Sequence, residues 1–301
     1  MNICRQPEKM DSLLLFLLLK MQLRSKQFRE CNLVKAGKKY EISSLTNEKV
    51  KFINSLYQRK YRKELNLFVA EGVRVCKEAL ENNWNIKYLL FDITNNDNLF
   101  IKNLINEVVL LGGDAIGVTP QILTKISHKS NPQNVLGVFE QKWQMLNQVL
   151  GIKTIVALES VRDPGNLGTI LRTMDGVGAQ DCILLNECTD PFSYESVRAS
   201  MGAIFNVNII ASTTKNFIKW KLNNKINLIG TSLINAIDYT ETDWKSPFVL
   251  AMGNEQQGLT DELTSACDQL IKIPMNGKSD SLNLAVSTGI ALYESIRKIP
   301  N

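Results

Sequence analysis

From residue 153 onward, short apolar runs alternate with helix-forming stretches, and that alternation narrows the folds open to this chain more than any other feature. Residues 155–158, 181–185, 207–210, 226–231, 248–252 and 270–273 read as strands. Between and after them, the stretches from the turn at 163 to about 176, and over 196–203, 217–222, 259–266 and 283–296, read as helices. Strands that are apolar throughout are buried on both faces, so the pattern predicts an α/β fold with a mostly parallel sheet covered on both sides.

A smaller α/β unit precedes it. Residues 44–56 carry helical spacing (Val50, Ile53, Leu56), and 68–70 read as a strand followed by a helix opening at Glu71 and Gly72. Further strands are expected at 88–91, 107–111 and 135–139, with a short helix at 119–126 whose first turn accommodates Pro120. The expected organisation of the 301 residues is therefore a basic extension (1–41), a small α/β substrate-binding domain (42–140), a linker (141–152) and a larger domain (153–301).

Charge follows the same division. Residues 1–70 hold 15 Lys/Arg and 6 Asp/Glu, a balance of +9, whereas the remainder sums to −4. The N-terminal region therefore suits an anionic partner. Its densest run, Arg59, Lys60, Arg62 and Lys63, is either a solvated helix face or a nucleic-acid contact surface. The leucine-rich stretch at 13–19 spans seven residues, far short of the roughly 20 that cross a bilayer. Asp11 precedes it and no small-residue cleavage site follows, which points to the cytoplasm. Six widely spaced cysteines without a CxxC pair fit a reducing compartment, with no metal site.

Three Gly/Asn-rich turns follow predicted strands: DPGNLG (163–168), GNEQQGL (253–259) and PMNGKSDSLN (274–283). Ligands bind beyond the carboxyl ends of parallel strands, so three such loops predict a binding crevice. No GxGxxG or GxxxxGK[ST] occurs, which disfavours a nicotinamide or nucleoside-triphosphate enzyme. The single histidine, His128, lies in the first half, away from these loops. Arg172 either snorkels at the surface or reaches the crevice. Asn166 braces its turn or orients a substrate. Glu255 and Ser281 either cap the helices that follow or serve the site, and Asn283 lies beside Ser281 at the mouth of the last helix.

The segments ALESVRDPGNLGTILRTMDGVGA (157–179), SVRASMGAIFNV (196–207), FVLAMGNEQQGL (248–259) and IPMNGKSDSLNLAVSTGIALYE (273–294) resemble the SpoU/TrmH branch of the SPOUT RNA methyltransferases. FVAEGVRVCKEAL (68–80) and SNPQNVLGVF (130–139) resemble the ribosomal-protein-like substrate-binding domain carried by many of its rRNA-directed members. The resemblance implies a deep trefoil knot around 228–233, 248–259 and 271–290, and S-adenosylmethionine as cofactor with no metal. It also implies a homodimer through the C-terminal domain whose sites draw residues from both subunits.

By the same likeness, Arg172, Asn166, Glu255, Ser281 and Asn283 form the catalytic set, with Arg172 central. Backbone near Thr231, Gly253, Ile273, Met275 and Leu282 contacts the cofactor, and Arg59, Lys60, Arg62 and Lys63 contact RNA. The implied reaction is methyl transfer to a ribose 2′-hydroxyl, with 23S rRNA favoured. A tRNA-directed enzyme and a non-catalytic RNA-binding or ribosome-assembly protein are the alternatives. Asn254 and Leu284 depart from the common pattern, where small residues and valine are frequent.

Overall fold

The computed structural model describes residues 35–95, 98–149, 154–278 and 280–298. The leucine-rich stretch and the basic extension up to residue 34 lie outside those residues, as do Cys4 and Cys31.

The first unit runs β1 (Lys39–Ile42), α1 (Glu48–Ser55), α2 (Arg59–Leu65), β2 (Leu67–Glu71) and α3 (Val73–Glu81). It continues through β3 (Ile86–Asp92), α4 (Leu99–Leu110), β4 (Asp114–Val118), α5 (Pro120–Ser127) and β5 (Val135–Glu140). Its sheet has the order β1-β4-β3-β5-β2, parallel through β1, β4 and β3 and antiparallel on both sides of β5.

Four local expectations are corrected here. Residues 107–111 close helix α4 instead of forming a strand. Ile101, Leu104, Ile105 and Val108 bury one helical face, and Asn98 caps the start through the N–H groups of Phe100 and Ile101. The helix expected from residue 44 begins only at Glu48, after the Asn47 cap. The helix expected over 196–203 ends at Ala199, because Met201 (φ 52°) and Gly202 (φ 104°) turn left-handed. Strand β1 has no counterpart among the expected elements, and the expected boundary between residues 41 and 42 falls inside it.

The second unit runs β6 (Thr154–Glu159), α6 (Pro164–Val177), β7 (Asp181–Leu185), α7 (Tyr194–Ala199), β8 (Asn208–Ser212), α8 (Thr214–Asn224) and β9 (Asn227–Thr231). It ends with β10 (Ile237–Asp238), β11 (Phe248–Met252), α9 (Asp261–Ala266), β12 (Gln269–Lys272) and α10 (Leu284–Lys298). Every pairing in the order β10-β12-β9-β11-β6-β7-β8 is parallel. The central strand β11 is buried along its whole length, as a sheet covered on both sides requires. Helix α6 starts where the Asp163 side chain accepts the Asn166 N–H and Pro164 takes the first turn; it stops at left-handed Gly178. Gly168 lets α7 approach: a Cβ there would lie 2.4 Å from the Ser196 carbonyl oxygen.

The two units share one apolar core. Phe68, Trp84 and Phe139 from the first meet Phe192 and Phe205 from the second, with centroids 4.8 Å apart for Phe68–Phe192 and 5.1 Å for Trp84–Phe205. The Trp84 indole N–H donates to the Phe205 carbonyl at 3.0 Å. The Tyr194 hydroxyl donates to Glu71, whose carboxylate also pairs with Lys129. From the expected linker, Gln144 donates its N–H to the Ile209 carbonyl and extends the edge of the second sheet.

Candidate active site

Because all seven strands of the second sheet are parallel, their carboxyl ends share one edge, and the loops leaving β6, β9, β11 and β12 enclose a crevice of about 1170 Å³. Asn166, Thr231, Gly253, Glu255, Ile273, Met275, Ser281, Leu282 and Asn283 all line it. The three loops singled out in the sequence therefore converge on one cavity, large enough to enclose a cofactor-sized ligand.

The β11 loop is built to approach its neighbours closely. Asn254 and Gly258 exchange both backbone hydrogen bonds at 2.9 Å, and a Cβ on Gly253 would fall 2.0 Å from the Gly258 carbonyl carbon. Asn254 also donates its side-chain amide to the Ser160 carbonyl and accepts from the N–H groups of Gln256 and Gln257. Asn254, one of the two departures from the family pattern, thus helps tie the β6 and β11 loops together.

Asn166 stands at the centre of a chain of side-chain hydrogen bonds. Its Nδ2 donates to Glu255 Oε1 at 3.2 Å, and its Oδ1 accepts from Asn283 Nδ2 at 2.8 Å. Asn283 in turn caps α10, its Oδ1 accepting the N–H groups of Ala285 and Val286. The Glu255 carboxylate also accepts the backbone N–H groups of Arg162 and Asp163. Burial pushes that carboxyl upward, but hydrogen bonds from its own backbone N–H, Asn166, Asp163 and Arg162 outweigh burial and hold it below the usual carboxylate range. Glu255 does not cap the following helix; Thr260 does that for α9. Ser281 is exposed on the crevice wall.

Arg172 does not line the crevice of its own chain. It is exposed on α6 beside Thr173, which packs against Gly289 of α10. The outer stripe of α10 next to it is apolar, with Val286 51% and Tyr293 58% exposed.

On α2, Arg59, Lys60 and Lys63 are exposed, whereas Arg62 is only 4% exposed and is removed from the RNA-contacting set. Its Nη1 donates to the carbonyls of Leu56 and Tyr57, and Nε and Nη2 both reach Asp190 at 2.8 Å. Every guanidinium nitrogen is committed inside the protein, and the partner carboxylate belongs to the second unit.

One buried carboxylate escaped the sequence reading. Glu159, 1% exposed at the end of β6, accepts from the hydroxyls of Thr214 and Thr260 and from the Thr260 N–H, fixing the starts of α8 and α9 beneath the crevice. Its position as the acid closing the apolar run IVAL was the available clue.

A model of the SpoU rRNA Methylase family matches residues 153–293, and one of the MRM3-like substrate binding domain matches residues 47–137. The chain is 41% identical to an rRNA methyltransferase from Sinorhizobium meliloti, covering 88% of this chain and 100% of that one at a TM-score of 0.83. This chain belongs to the SpoU rRNA methylase family. The AdoMet-bound form of the same Sinorhizobium meliloti protein matches at a TM-score of 0.82 and 41% identity, over 87% of this chain and 99% of that one. The 23S rRNA (guanosine(2553)-2′-O)-methyltransferase of Bacillus subtilis is 26% identical over 84% of this chain and 98% of its own length. In this SpoU chain, three of the four family-like segments (157–179, 248–259 and 273–294) supply the crevice lining, whereas 196–207 packs at the seam with the first unit.

Proposed function

We propose that this SpoU chain transfers a methyl group from S-adenosylmethionine to a ribose 2′-hydroxyl in 23S rRNA. The observation that carries the reading is the Glu255–Asn166–Asn283 hydrogen-bond chain on the wall of the crevice, in a protein alike over 87% of its length to an AdoMet-bound rRNA methyltransferase. The lining fits that cofactor. Asp163, Glu255, Asp261 and Asp280 face the cavity against a single Lys272, a field that favours a ligand bearing sulfonium and ammonium charges and opposes a triphosphate.

Thr231, Gly253, Ile273, Met275 and Leu282 would hold the cofactor. When bound, it supplies an electrophilic methyl carbon on a cationic sulfur. Asn166 is the positioning residue of the wall, fixed between a charged acceptor and a helix cap. Glu255 is a brace: a carboxylate held ionised by so many donors is a poor proton acceptor. The planar guanidinium of Arg172 offers only donors, so its task is to hold the 2′-oxygen and adjacent phosphate and offset the negative charge that develops on the attacking oxygen.

Since Arg172 lies outside its own crevice, we assign it to the site of a second copy, docked through the exposed stripe of α10 beside it. The parallel neighbours β9, β11 and β12 supply the segments for the trefoil knot the family implies. The first unit would hold RNA and the second present the methyl donor. Cytoplasmic residence is part of the same proposal; among the described residues, no helix is long and apolar enough to cross a membrane.

Incubating the purified protein with methyl-tritiated S-adenosylmethionine and either 23S rRNA or tRNA tests the reading. Label in 23S rRNA within alkali-resistant dinucleotides is expected. Label confined to tRNA overturns the substrate, and no label in either overturns the activity.

A further inference from the structure

We infer that the cleft between α2 and the loop after β7 is a second RNA site, one that seats a single unpaired nucleotide with its base on Trp143 and its phosphates on Arg59 and Lys63. The inference rests on the reading of the chain as an RNA-directed enzyme and adds an anchoring site apart from the methyl-transfer crevice. The cleft measures about 270 Å³, just below the roughly 300–1,000 Å³ of pockets that enclose a drug-sized ligand, so it suits one ring system and not a whole cofactor.

Its aromatic wall is prepared for stacking. Trp143 is 43% exposed, while Trp84, Trp220 and Trp244 are buried. The indole is nevertheless fixed: Nε1–H donates to Gln141 Oε1 at 3.0 Å, and the ring meets Phe192 edge to face at 5.2 Å. A rigid, solvent-facing ring accepts a base with little loss of side-chain freedom.

The charges complete the pattern. Arg59 and Lys63 lie one helical turn apart on α2, exposed, with no acidic partner among the described residues. The acid in the cleft, Asp190, is already neutralised by Arg62, so it does not repel a phosphate. Two free cations beside a fixed aromatic ring match a nucleotide better than an apolar protein segment.

The cleft also sits in register with the crevice. It is walled by Asn186 and Thr189, just beyond the carboxyl end of β7, and Thr189 donates its N–H to the Val161 carbonyl at 2.7 Å. Val161 leads directly into Arg162 and Asp163, whose N–H groups bind Glu255. One RNA strand lying along this edge would pass from the Trp143 cleft to the Asn166 wall.

Since Trp143 is the one solvent-exposed tryptophan, it reports its own occupancy. Titrating the full-length protein with a short single-stranded oligoribonucleotide at low salt should quench its intrinsic fluorescence, and Trp143→Phe should lose the quench while retaining affinity by filter binding. Trp143→Ala should weaken RNA binding about tenfold, within the range for loss of one stacked base. Arg59→Ala with Lys63→Ala should flatten the salt dependence by about 0.7 per lost phosphate contact. In all variants, S-adenosylmethionine affinity and melting temperature should match wild type. Wild-type quenching or affinity in Trp143→Ala overturns the pocket, as does quenching by an unstructured peptide but not by RNA. Absent methyl transfer by the wild type is a separate result and overturns the enzyme reading instead.

Discussion

Asn166 and Asn283 come from opposite ends of the second unit, 117 residues apart, yet their side chains meet at 2.8 Å on the crevice wall. One asparagine hangs from the first turn of α6 and the other caps α10, so the bond fixes two helix starts relative to each other. Asn283→Ala should cost about 1 kcal/mol through the lost cap. It should also lower methyl transfer by freeing Asn166. Urea titration and turnover of N166A, N283A and the double variant check this: the double variant should lose less activity than the two singles combined. Full additivity would separate the two residues.

Arg172 makes no contact in the crevice of its own chain, which separates its chemical role from folding. Arg172→Ala should leave the melting temperature and S-adenosylmethionine affinity unchanged while lowering kcat/KM at least about 100-fold, the scale for removing one donor to a developing oxyanion. Wild-type turnover in R172A removes the residue from the mechanism.

The exposed stripe of α10 sets the expected assembly. Wild type should sediment as a dimer, and Tyr293→Glu, which puts a charge on that stripe, should yield folded monomers without methyl transfer. Mixing monomeric Y293E with R172A and recovering no activity is consistent with this; a monomeric, active wild type is not.

Arg62 and its neighbours should behave oppositely. Arg62→Ala leaves Asp190 without its partner and the carbonyls of Leu56 and Tyr57 without their donor, a loss of about 3–5 kcal/mol for breaking a buried ion pair. Arg59→Ala and Lys60→Ala should change stability by less than about 0.5 kcal/mol. Denaturant titration of the three variants distinguishes a seam residue from a solvated face.

Glu255 links the crevice to pH. A carboxyl whose pKa is lowered by folding stabilises the protein above the ordinary value of 4.5, and that contribution fades as pH falls through the lowered folded value. Glu255→Gln should therefore melt below wild type at pH 7, with the gap closing as pH drops beneath about 4.5. A gap constant from pH 7 to pH 3 would remove the charge from the account.

The second unit was readable because a parallel sheet buried on both faces writes itself as unbroken apolar runs, such as 248–252, each followed by a Gly/Asn turn. The first unit was harder. Strand β1 reads KYEI, with two charges and only half-buried apolar residues, so no run announced it. The five residues EVVLL look like a strand in isolation; only the earlier turns of α4 and its Asn98 cap make them helical. Within QRKYRKE, nothing distinguished Arg62 from Lys63, because the distinguishing partner, Asp190, lies 128 residues further on. The family likeness places Arg172 in the crevice, and a single chain does not bring it there.

The shared aromatic core also governs how target choice can work. With Phe68, Trp84 and Phe139 locked against Phe192 and Phe205, the spacing from the exposed cations of α2 to the Asn166 wall is set by packed side chains and not by a tether. If RNA is held as proposed, such a molecule would select its ribose as a caliper does, accepting only RNA whose folded contour bridges two fixed jaws, so loosening the seam should blur the modified position before it abolishes modification.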